Sequence, residues 1–138
     1  MHARQLVALT LIAAAAWAAF AGPVSERSGI LTDPSGRTVY VFDHDSPGKS
    51  NCRSGCLNMW PPFQAEAGAR PDGDFSLIDA EGGKQWAYRD RPLYFYAGDE
   101  KAGDRNGDRI GGVWHVIPAV RQTPDEKRES GFSAGYGY

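Results

Sequence analysis

The chain has 138 residues, 41% of them hydrophobic, and a formal net charge of −2. Its basic and acidic residues are interspersed and form no basic stripe, which argues against nucleic acid and anionic lipid as partners. This length suits one small domain, in which roughly two thirds of the unfolded chain's surface becomes buried.

The chain opens with a basic start (His2, Arg4), an apolar run from Leu6 to Phe20 and the small-residue pattern Ala19-Phe20-Ala21. This predicts a secretory signal over residues 1–21, cleaved before Gly22. The apolar run falls short of the roughly twenty residues needed to span a bilayer. No stable membrane insertion is therefore expected after cleavage; retention of the segment as an anchor is the alternative. No cysteine follows Ala21 for lipid attachment, so the expectation is a soluble exported protein, periplasmic or extracellular.

Polar residues run to Ser28, and short β-branched and aromatic segments follow, broken by Gly, Pro, Asp and Asn. Residues 38–42, 75–78, 85–88, 93–96 and 113–117 read as strands. Asp79-Ala80-Glu81-Gly82-Gly83-Lys84 predicts a hairpin joining the second strand to the third. No sustained 3.6-residue apolar period follows the signal. A single helical turn is expected between Cys52 and Met59, stopped by Trp60-Pro61-Pro62. Residues 119–138 are polar, then rich in Gly, Ser and Tyr, and predict a disordered tail. The fold class is all-β: one domain over 22–118, built from short antiparallel strands.

That domain says one thing twice. Tyr40-Val41-Phe42-Asp43-His44-Asp45 is echoed by Tyr94-Phe95-Tyr96-Ala97-Gly98-Asp99, and a tryptophan follows each tyrosine by twenty residues, Trp60 and Trp114. Such an echo predicts one supersecondary unit used twice, over about 30–62 and 77–118, each copy too small to bury its apolar face alone. Alternation puts Tyr40 and Phe42 on one strand face, with Val39 and Val41 on the other. Strands apolar on both faces are covered ones, so both copies are expected at the centre of the fold. Asp45 and Asp99 stand just past the strand ends, where a carboxylate accepts N–H groups of a turn.

Cys52 and Cys56 are the only cysteines, and export predicts that they pair with each other. Against this stands a copper or thiol-redox reading in which Cys52 and Cys56 act with Met59, His44 and His115. Asp99, Asp104, Asn106 and Asp108 alternate oxygen ligands as a Ca²⁺ loop does. Such a loop needs glycine where Arg109 stands and glutamate where His115 stands. The aromatic set of Tyr40, Phe42, Trp60, Trp86, Tyr88, Tyr94, Tyr96 and Trp114 is core material first and a stacking surface second. No nucleophile elbow is present.

These residues together resemble the bacterial secreted-repeat lipoproteins of unknown function, marked by a tyrosine, any residue, an aromatic, two residues and an aspartate. Both Tyr40-x-Phe42-x-x-Asp45 and Tyr94-x-Tyr96-x-x-Asp99 fit, as do Cys52-x-x-x-Cys56-x-x-x-Trp60-Pro61-Pro62, Arg91-Pro92-Leu93-Tyr94 and Gly112-Val113-Trp114-His115-Val116. The resemblance implies an exported β-rich domain and brings no activity with it; unlike many members, this chain has no cysteine to carry a lipid. The expectation is a non-enzymatic binding or structural module of the cell envelope, with no cofactor and with another envelope protein as its conceivable partner. The alternative is a periplasmic metal-handling (copper or calcium) or thiol redox protein.

Overall fold

In the computed structural model residues 22–119 are described. The expected signal (1–21) and the expected tail beyond residue 119 lie outside them. The chain opens with a hairpin of β1 (Ser25–Arg27) and β2 (Ile30–Thr32), followed by β3 (Tyr40–Phe42) and one helical turn, α1 (Gly55–Met59). The second half begins with a longer hairpin of β4 (Phe75–Ala80) and β5 (Gly83–Tyr88), followed by β6 (Arg91–Pro92) and β7 (Trp114–Val116). These strands pair antiparallel, β1 with β2, β3 with β7, and β4 with β5 with β6. The fold is thus mainly β, in two repeats.

Two elements differ from the sequence reading. Residues 25–32, read as polar up to Ser28, form the hairpin β1–β2. Its turn residues Ser28 and Gly29 both take positive φ (50° and 80°), the geometry of a two-residue hairpin turn. Three-residue strands are too short to show alternation, yet Ile30, Leu31 and Thr32 are all buried. The strand expected over 93–96 is instead a run of bridges, because each residue serves a different neighbour. Tyr94 exchanges two backbone hydrogen bonds with Tyr40 (2.8 and 3.0 Å), while Leu93 accepts from Phe63 N–H and Phe95 donates to the Pro61 carbonyl.

The connections reveal an exchange between the repeats. The Trp114 segment belongs to the second repeat but pairs with the first, through β3 and through the Leu31 N–H bond to the Ile117 carbonyl. In return, the segment after Trp60 pairs with the second repeat, where Pro62 bridges Tyr94 and Trp86 N–H donates to the Phe63 carbonyl. Each repeat completes the other's sheet. The Tyr40–Tyr94 bridge lies where the two meet.

Both faces of this central layer are covered. One side buries Val39, Val41, Leu93, Leu31, Phe63, Trp86 and Ile117 among others, and the opposite side buries Tyr40, Tyr94, Trp60, Trp114 and Cys52. Val39, Tyr40, Leu93 and Tyr94 are each 0% exposed, which makes these the innermost segments and accounts for their lack of a polar face.

Candidate functional site

On the aromatic side the residues that mark the repeat come together across it. Trp60 and Trp114 stack face to face with centroids 3.7 Å apart and planes 3° apart. Phe42 stacks on the outer face of Trp114 at 4.2 Å, and Tyr96 leans on Trp60 at 4.6 Å. Tyr40 meets Trp60 edge-on at 5.3 Å and Tyr94 meets Trp114 edge-on at 5.2 Å. Edge-to-face and offset pairs add about 0.5–1.5 kcal/mol each beyond the area they bury. Under exchange of the repeats the Phe42–Trp114 contact corresponds to Tyr96–Trp60, and Tyr40–Trp60 to Tyr94–Trp114.

The polar groups follow the same rule, and they cross over. Tyr40 donates its hydroxyl proton to Asp99 Oδ2 (2.7 Å), and Tyr94 donates to Asp45 Oδ2 (2.8 Å). The second oxygen of each carboxylate accepts a backbone N–H from further along its own loop, Asn51 for Asp45 (2.7 Å) and Asn106 for Asp99 (2.9 Å). Each asparagine side chain then bonds the carbonyl just before the aspartate, that of His44 or Gly98. Burial, reinforced for Tyr40 by Asp99, drives both tyrosine hydroxyls above the ordinary phenol range and keeps them protonated as donors. Burial also raises the Asp45 carboxyl, against the pull of its hydrogen bonds. No buried side-chain polar atom among the described residues lacks a partner.

Sequence reasoning placed Asp45 and Asp99 at turns but missed the crossing of the tyrosines, Asn51, and the turn role of Asn106, which it read as a candidate cation ligand. The asparagines had a signal, one following each aspartate by six or seven residues. The crossing had none, because it joins positions far apart in the chain.

Each side chain of the candidate cation loop has a backbone partner. Asp99 is engaged as described, Asp104 accepts the N–H groups of Glu100 and Lys101 (both 3.0 Å), and Asp108 accepts the N–H of Val116 (3.1 Å). Those two backbone donors hold Asp104 below the ordinary carboxylate range. Asn106 turns to the Gly98 carbonyl. Among the described residues no group of three or more His, Cys, Asp and Glu side chains is placed to hold a metal ion. Cys52 and Cys56 form a disulfide, Met59 is half exposed, and His115 Nε2 lies 2.6 Å from Asp43 Oδ2. Arg91 completes that surface cluster with a 3.0 Å bond to Asp43. His115, foremost among the causes, and then Arg91 hold the Asp43 carboxyl below its usual value.

The family described as a secreted repeat of unknown function matches residues 24–64 and 76–117, and the chain belongs to that family. Each match begins at or beside the first strand of a hairpin and ends in the segment exchanged with the other repeat. No curated protein and no solved structure matches the chain. The family marks the protein as exported, and no helix among the described residues is long and apolar enough to cross a membrane.

Proposed function

We propose that the protein is a non-enzymatic binding or structural module of the cell envelope, working in the periplasm or outside the cell. One observation carries this reading. The side chains that look most like chemistry in the sequence, two tyrosines, two aspartates and two tryptophans, bond to one another across the repeats. A motif so engaged builds a joint. It leaves the loops and hairpins that differ between the copies as the surface on which other molecules are met.

The experiment is metal analysis of protein purified from the periplasm, together with thiol titration under denaturing conditions without reductant. The module reading expects no stoichiometric metal and no free thiol. A metal retained at one per chain, or two titratable thiols, overturns it in favour of a metal-handling or redox protein.

A further inference from the structure

We propose that the open edge of β4 is a docking site for an extended peptide segment bearing carboxylate side chains, which joins the sheet as an additional strand. The inference rests on reading the protein as a binding module and names the partner's chemistry.

The two repeats act as each other's control. Their opening hairpins occupy equivalent places, yet β1 and β2 have three residues each while β4 and β5 have six. The extra length runs beside the disulfide loop of the first repeat, a feature the second repeat lacks. Between them lies a groove of about 470 Å³, with Lys49, Ser50 and Arg53 on one wall and Leu77 and Asp79 on the other. The common architecture does not require this groove, since neither the longer hairpin nor the disulfide loop is repeated.

Backbone geometry makes the β4 wall receptive. In an antiparallel ladder, residues alternate between pairs that exchange hydrogen bonds and pairs that do not. Lys84 and Trp86 direct their backbone groups away from β4, to Ala65 N–H, the Phe63 carbonyl and Leu93 N–H. Their β4 partners Asp79 and Leu77 therefore turn their N–H and C=O groups outward, to the groove. No other described residue bonds those groups. Upstream the edge is closed, because Phe75 exchanges two backbone bonds with Asp72. An exposed edge is a template for a further strand unless something covers it.

The opposite wall supplies the charge preference. Lys49 and Arg53 form no ion pair among the described residues, whereas Asp79 is paired with Lys84. Two unpaired cations face a neutralised strand edge. A strand entering there gains main-chain bonds to Leu77 and Asp79 and complementary charge from its own carboxylates.

The test uses the full exported chain, ¹⁵N-labelled, and three seven-residue probes: alternating glutamate and threonine, the same with lysine for glutamate, and the glutamate peptide N-methylated at every backbone amide. The glutamate peptide is expected to slow hydrogen exchange at the Leu77 and Asp79 amides, and the N-methylated one to leave it unchanged. Lys49→Glu with Arg53→Glu should weaken the glutamate peptide about tenfold, two exposed pairs being lost, and admit the lysine peptide. Absence of protection at millimolar glutamate peptide overturns the proposal, and so does binding indifferent to N-methylation. Two patterns in the free chain overturn it as well. Protection that grows with protein concentration assigns the edge to a second copy, and protection lost on removing residues 120–138 assigns it to the chain's own tail. A failure here leaves the module reading to be judged by its metal and thiol content.

Discussion

In the first repeat the residue after the loop asparagine is Cys52, buried and disulfide-bonded; in the second it is Gly107, where a Cβ would come within 2.7 Å of the Trp60 ring. The residue before the aspartate is His44 in one copy and Gly98 in the other, where a Cβ would press on the Tyr96 ring at 2.5 Å. Two steps before the aspartate stand Asp43 and Ala97, and only Asp43 has a histidine and an arginine around it. The copies agree at the tyrosines, aspartates, asparagines and tryptophans that build the centre, and diverge around them, even where Asp43 reaches across to His115 and Arg91. Agreement therefore marks the joint, and divergence marks the positions that the joint leaves free to vary.

The largest effect that tests this comparison comes from the stacked pair. Trp60→Ala and Trp114→Ala should each cost about 3–5 kcal/mol of unfolding free energy, as large buried aromatics do. The double variant should cost less than their sum, because the first truncation already breaks the stack. Urea unfolding of the three variants measures this; a near-neutral effect at either site breaks the symmetry of the core.

Next come the crossing bonds. Asp45→Ala and Asp99→Ala should each cost about 1.5–3 kcal/mol, the range for a charged acceptor, and Ca²⁺ or chelator should leave all the melting curves unmoved. Double-mutant cycles sharpen the point: Tyr40→Phe should couple to Asp99→Ala, and Tyr94→Phe to Asp45→Ala, by roughly 0.5–3 kcal/mol. Tyr40→Phe with Asp45→Ala, residues of one repeat, should be additive. Coupling within a repeat in place of coupling between repeats would return the motif to a local role, and a calcium-dependent shift lost only in Asp99→Ala would restore the cation loop.

The disulfide is the sharpest covalent difference between the copies. Replacing Cys52 and Cys56 together by serine should cost about 2 kcal/mol in the chain-entropy view of a short loop, and the tryptophan fluorescence of the folded state should persist. A collapse of the fold would show that the first repeat depends on a device the second does without.

The smallest effect has a sign that differs between neighbours. Burial raises the Asp45 carboxyl above its unfolded value of about 3.9, so folding favours its protonated form. Wild type should therefore lose stability relative to Asp45→Asn as pH rises through the range above about 4. His115 and Arg91 lower the Asp43 carboxyl. Its contribution should be present above about 3.9 and fade as pH falls through its folded value below that. Solvent screening at this exposed cluster keeps that second contribution small. Stability measured against pH for wild type, Asp45→Asn and Asp43→Asn checks both signs, and equal slopes would contradict the difference in burial.

Much of this was legible in the sequence for a physical reason. Tyr40, Phe42, Trp60 and their counterparts are large aromatics at matching positions, and their repetition shows without any knowledge of partners. The hairpin of β4 and β5 was legible because Glu81-Gly82-Gly83 breaks two β-rich runs. The hairpin β1–β2 was not, because its first strand is the polar Ser25-Glu26-Arg27, and only the Ser28-Gly29 turn signals it. The exchange of the tryptophan segments left no trace, since local pattern reports which face a strand buries and is silent on which strand lies beside it. The oxygen-rich loop after Asp99 is ambiguous in sequence for a related reason: turns and cation sites call for the same side chains, and the backbone N–H groups that these side chains accept show only in the fold.

The exchange itself reaches beyond stability. Tyr40 to Asp99 with Tyr94 to Asp45 is the contact rule of an isologous dimer, in which residue i meets j and j meets i. Here one polypeptide obeys that rule, and the stretch between Gln64 and Phe75 keeps the halves at the effective concentration of a short linker, on the order of millimolar. A backbone cut in residues 66–74 would sever that tether without removing a single one of the crossing contacts. The halves would then remain together as two chains, and their association would depend on concentration where that of the intact protein does not.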